Sequence, residues 1–188
     1  MNQIQFPTWM RIPIGGKSPQ ELIDILDHGD DKSYEPRFSI DDSVKNAFLK
    51  ENQIDWSPEV TEIEFCLITP RELGFTDGWI PFDLTIDESL LSRYSIGLCR
   101  PIDVLHIRNF LNPQHEQVSL RTWVITEFLK VGGKGPTGLD ATGVFEIHTF
   151  CTKWLGDVRY SISAFSCEDV GAASFKNSES TKLIYRKL

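Results

Sequence analysis

The residues with the most chemical potential fall on two stretches whose side chains alternate with period two. Glu146 and His148 share one face of Val144 to Cys151, and Arg159, Ser161 and Ser163 share one face of Val158 to Ala164. If these stretches pair as strands, an acid, a base and a cation gather on one surface, as a small enzyme would need. A solvated sheet face stabilised by cross-strand pairs carries the same residue types. That plain reading is favoured, and catalysis by Glu146, His148 and Arg159 is the alternative.

Other motifs point away from known chemistries. Gly16-Lys17-Ser18 follows a strand-like stretch and opens a helix, the context of a phosphate-binding loop. The full motif needs a glycine five residues before Gly16, where Arg11 stands, so the loop is too short to wrap a triphosphate. Ser18 reads instead as a helix cap. Gly132 to Gly143 contains five glycines, without a dinucleotide fingerprint or a βαβ context, and reads as a long hairpin loop. His28, His106, His115 and His148 share no metal-ligand spacing with one another, so neither a metal nor a cofactor is expected. His106 lies three residues after Asp103 and suits a surface pair with it. No Gly-x-Ser-x-Gly elbow occurs, and no cysteine has a histidine beside it. Among five tryptophans, Trp56 and Trp79 sit in loop-like sequence beside prolines and are the candidates for an exposed binding surface.

The elements that must position these residues are written in local signals. Trp9 to Ile14 reads as a short edge strand with Pro13 in it. Ser18, Pro19 and Glu21 form a capped helix start, Leu22, Ile23, Ile25 and Leu26 supply its apolar stripe, and Gly29 ends it. A second short helix is expected near Asp41 to Lys50. Val60 to Ile68 reads as a half-buried strand with Ile63, Phe65 and Leu67 inward. Thr69/Glu72 starts a helical turn, Thr85/Glu88 caps a helix running to Tyr94, and Pro101 opens another reaching Leu111. Period two then takes over at Val118 to Val131, the two stretches above, and Lys182 to Lys187. The order predicts an α+β fold: a mainly antiparallel sheet in the C-terminal half, built as a meander, with N-terminal helices packed on one face. The strand at Val60 to Ile68 should join that sheet.

The chain of 188 residues is sized for one domain, 1–188, and its 40% apolar and 24% charged content is that of a globular protein. No apolar run reaches 18 residues and Met1 to Ile14 lacks the features of a signal peptide, so a soluble, cytoplasmic protein is expected. Cys66, Cys99, Cys151 and Cys167 are widely spaced and read as buried free thiols rather than disulfides. Residues 1–92 hold 18 acidic and 7 basic side chains, a balance of −11. Residues 93–188 balance at +3, for a total of −8. An acidic surface repels phosphate backbones, so nucleic acid is not an expected partner. The acidic half either faces a basic protein or is a solvated face that keeps the chain in solution.

Several phrases resemble a family of uncharacterised bacterial proteins: the Trp9–Leu26 strand and capped helix, Arg71–Phe75 (RELGF), Gly97-Leu98-Cys99 with Pro101, Gly143–Phe145, and the basic end of Ile184–Lys187. Their order spans most of the chain. The sequence departs where the family reads C-P-A-E-V-G-P, with Cys99-Arg100-Pro101-Ile102-Asp103-Val104 in its place, and across Asp157 to Ser180. That family carries no assigned activity or catalytic residue, so the resemblance implies organisation alone. Taken together, the residues favour a non-catalytic protein-interaction domain, with the small enzyme as the alternative. The oligomeric state is not written in the sequence.

Overall fold

The first element pair already shows how the fold is made. Strand β1 (Met10–Ile14) buries Ile12 and Ile14 and leaves Arg11 and Pro13 exposed. A tight glycine turn then delivers the chain into α1 (Pro19–His28). The computed structural model describes residues 5–28, 38–40, 45–51, 53–76, 78–110, 121–126, 143–152, 157–166, 174–176 and 181–188. Beyond α1 come β2 (Phe38–Ile40), a π-helical turn (Ala47–Glu51), β3 (Thr61–Ile68), β4 (Trp79–Pro81), α2 (Phe82–Thr85), α3 (Glu88–Tyr94), β5 (Ile96–Gly97) and α4 (Pro101–Phe110). The chain continues with β6 (Arg121–Val124), β7 (Gly143–Thr152), β8 (Asp157–Ser166), β9 (Ser174–Lys176) and β10 (Thr181–Lys187). Helices and a mainly antiparallel sheet together make an α+β architecture.

The main sheet has eight strands in the order β1-β3-β10-β6-β7-β8-β2, with β5 beside β10, and β4 and β9 pair separately. β3 does join this sheet, with β1 on one side and β10 on the other. The sheet is not confined to the C-terminal half, since β1, β2, β3 and β5 all contribute. β6, β7 and β8 form the expected antiparallel meander. β10 does not continue it. It inserts between β3 and β6 and runs parallel to β6, placing Ile184 beside Val124. Composition explains that position. Leu183, Ile184 and Tyr185 are all fully buried, and an unbroken apolar run needs a central strand covered on both faces.

Strand alternation divides the core in two. Phe65, Val124 and Ile184 face one way, against Leu22, Ile23 and Leu26 of α1 and Val104, Leu105 and Ile107 of α4. Cys66, Leu183 and Tyr185 face the other way, against Leu73, Tyr94 and the flanking Leu90 and Leu91. The expectation of helices on one face therefore needs correction, because α3 belongs to the second cluster. β3 is more than half-buried for the same reason: Phe65 faces one cluster while Cys66 and Ile68 face the other.

Two caps follow the sequence and one does not. Ser18 N–H donates to Glu21 Oε2 at 2.7 Å and Glu21 N–H to Ser18 Oγ at 3.3 Å. Thr69 and Glu72 repeat the reciprocal pair at 2.7 and 3.2 Å, over a turn that closes at Gly74. The third cap is Asp87, whose Oδ1 accepts from Leu90 N–H at 3.0 Å. Thr85 is instead the buried last residue of α2, where its carbonyl accepts from Tyr185. An aspartate immediately before the helix outcompetes a threonine two residues earlier.

Candidate functional site

The glycine turn after β1 lies between two surface clefts, with Gly15 lining both. Gly15 has φ +109° and Gly16 φ +75°, both in the left-handed region. A Cβ on Gly15 would lie 2.1 Å from the Glu59 carbonyl oxygen, so only glycine lets the 53–60 loop rest against the turn. Gly16 N–H donates to the Ser57 carbonyl at 2.9 Å and fastens that loop. The N-terminus of α1 is filled by its own Glu21 carboxylate, which Ser18 N–H, the Ser18 hydroxyl and nearby Lys17 hold below the usual carboxylate range. The Gly-Lys-Ser turn thus docks a loop and caps a helix. The Gly15, Gly16 and Ser18 N–H groups are already bonded, to His106, Ser57 and Glu21.

The second wall is α4, which starts at Pro101 as its sequence predicts. Asp103 is fully buried on it. Its carboxylate accepts from Arg186 Nε and Nη2, both at 2.7 Å, and from Arg100 N–H at 2.7 Å. Arg186 reaches Asp103 because it sits two residues after Ile184 on the face that α4 covers. His106, 7% exposed, points its Nε2 at Gly15 and accepts that N–H at 3.2 Å. The ring is therefore neutral with its proton on Nδ1. Burial holds its pKa below the ordinary histidine value, with the nearby Asp103 charge opposing and Lys17 assisting. The expected surface pair of Asp103 and His106 does not form as such: both are buried and each has a different partner.

Two clefts flank this junction. The first, of about 240 Å³, lies between the 53–61 segment and the start of α4 and is lined by Asp55, Trp56, Glu59, Arg100 and Arg186, among others. Trp56 is 41% exposed and Val60, on the same loop, is 61% exposed. Arg186 is committed to Asp103, while the exposed Arg100 side chain makes no ion pair with a described residue. The second cleft, of about 410 Å³, lies on the other side of Gly15 and includes Lys17, His106 and Asn109.

The alternative catalytic set is placed by backbone register alone. β7 and β8 pair antiparallel, setting Glu146 opposite Ser163, His148 opposite Ser161 and Phe150 opposite Arg159. Directly opposed residues share a face, so Glu146, His148 and Arg159 lie on one side of the ladder. Their side chains, like those of His28 and Trp79, lie outside the described residues, as do His115 and the stretch 132–142. Sequence reasoning singled out Trp56 but missed Arg100 as its neighbour in space; its position before Pro101 at a helix start was the available signal. Cys66 and Cys99 are buried free thiols, and burial pushes the Cys66 thiol up. Among the described residues no group of three or more His, Cys, Asp or Glu is arranged to hold a metal ion, and no helix is long and apolar enough to cross a membrane. Compared with known proteins, the chain matches no family model, no curated protein and no solved structure.

Proposed function

We propose that this protein is a non-catalytic, cytoplasmic interaction domain that binds a basic protein partner through the cleft joining Trp56 to Arg100. The observation that carries the reading is the meeting, at one concavity, of an exposed tryptophan and an arginine whose side chain makes no ion pair with a described residue. Tryptophan and arginine dominate the energetic centres of protein interfaces. A volume of about 240 Å³ falls below the roughly 300–1,000 Å³ of small-molecule sites. It suits one or two side chains of a partner instead. Asp55 and Glu59 on the rim outnumber Arg100, since Arg186 is paired with Asp103, and the remaining negative charge steers a basic surface toward the cleft.

Pull-down from a lysate of the source cells, at low and moderate salt, tests the reading. The wild-type chain should recover one stoichiometric partner, and Trp56→Ala should weaken capture by roughly 30-fold, as for an interface hot spot. Recovery of no partner at either salt, or equal recovery by Trp56→Ala, contradicts it. The alternative, a small enzyme using Glu146, His148 and Arg159, draws its support from the β7–β8 register that sets the three on one face.

A further inference from the structure

We infer that the second cleft is a binding site for a small apolar monocarboxylate, distinct from the proposed partner cleft. Its volume of about 410 Å³ falls within the range of small-molecule sites. Ile12, Leu22, Ile25, Val60 and Phe110 give it an apolar wall. Such a lining with a few convergent polar groups is the general construction of a ligand pocket, in which the polar groups choose the head group.

Those polar groups are one-sided. Lys17 stands at the cleft, exposed and without an ion pair to any described residue. Asn109 also lines it, and the Asn109 Nδ2 is closed off from solvent with no hydrogen-bond partner among the described residues. A buried donor without an acceptor is costly, and native structures leave few. The terminal amide torsion of asparagine is broad, so the side chain can rotate to offer Nδ2 to an acceptor in the cleft. His106 has spent its acceptor nitrogen on Gly15 N–H and offers the cleft no lone pair. Its remaining ring nitrogen carries a proton. No carboxylate side chain is among the described residues that line the cleft, and the Glu21 carboxylate on α1 is bonded to the Ser18 N–H and hydroxyl. The lysine and the amide N–H together favour acceptors, and the lysine adds a positive charge. A carboxylate head on a hydrocarbon body answers both demands, while an ammonium head answers neither.

Isothermal titration calorimetry of the full chain at pH 7.5 tests the site, with octanoate as the probe and octylammonium as its charge-reversed control. Octanoate should bind saturably with one site per chain, and octylammonium should give no saturable heat. Lys17→Gln should weaken octanoate by roughly tenfold or more, the scale of a charge-assisted hydrogen bond. Asn109→Leu should weaken it comparably without lowering Tm, because the amide it removes is unpaired in the free protein. That split separates a ligand contact from a structural residue. Absent saturation with octanoate, equal binding of octylammonium, or wild-type affinity in Lys17→Gln overturns the assignment. Lys17 is exposed, so that variant decides the matter even if Asn109→Leu fails to fold. Neither residue lines the Trp56–Arg100 cleft, so a negative result here leaves the partner reading standing, and the reverse.

Discussion

His106 and Asp103 sit one helical turn apart on α4 and answer differently to perturbation. The His106 pKa is lowered by burial in the folded chain, whereas the unfolded chain protonates near the ordinary value of about 6.5. Below that pH the unfolded state binds more protons, so the His106 contribution is complete above about pH 6.5 and is lost as the pH falls. Protonating Nε2 also breaks the bond from Gly15 N–H. The urea midpoint of the wild type should therefore drop more between pH 7.5 and 5.5 than that of His106→Gln; parallel drops would contradict the assignment. Asp103 is held by two guanidinium bonds from Arg186, whose side chain is 15% exposed, and by one backbone N–H. Asp103→Ala removes both carboxylate bonds of that arginine and should cost about 3–5 kcal/mol. Asp103→Leu with Arg186→Met should recover part of the loss in the same denaturation measurement. Neither pairing was legible in the sequence. The Asp103–His106 spacing suits a surface pair, but both residues are buried and their partners come from β10 and from the β1–α1 turn, because local spacing says nothing of distant chain.

At the scale of elements, local signals were read well and pairings poorly. The Ser18/Glu21 and Thr69/Glu72 boxes form because cap and carboxylate lie within one turn of each other, so sequence distance and spatial distance agree. The Thr85/Glu88 reading failed because Asp87 offered a better acceptor closer to the helix start. The segment near Asp41 to Lys50 is helical from Lys45 but winds as a π-helical turn at Ala47–Glu51, a distinction that apolar spacing does not encode. The short strands β2, β4, β5 and β9 were missed, since two or three residues give no period to recognise. The Gly15–Gly16 turn yields a sharp prediction. Gly15→Ala drives a methyl into the Glu59 carbonyl and should cost about 3 kcal/mol or more. In Gly16→Ala the new methyl meets only Val60 Cγ2 at 2.9 Å, a side chain that can yield, so the cost should be about 1–2 kcal/mol, mostly from its positive φ. Chemical denaturation of the two variants side by side checks the ordering.

Across the whole molecule, the α+β class was legible because the change from period 3.6 to period 2 is a property of the chain itself. The strand order was not. β10 closes the sequence yet occupies the middle of the sheet, and only its unbroken apolar run Leu183–Tyr185 hinted at a doubly covered strand. The candidate site was half legible: Trp56 stood out beside a proline, while Arg100 joins it only once α4 packs against the sheet. Asp55 and Glu59, two of the acidic side chains of the first half, border the cleft. Amide hydrogen exchange of the full chain, with and without the captured partner, tests the central claim most directly. Partner binding through this cleft predicts new protection at residues 54–61 and at the start of α4 around Arg100. Protection confined to 143–152 and 157–166, with the 54–61 loop exchanging as in the free protein, would contradict it.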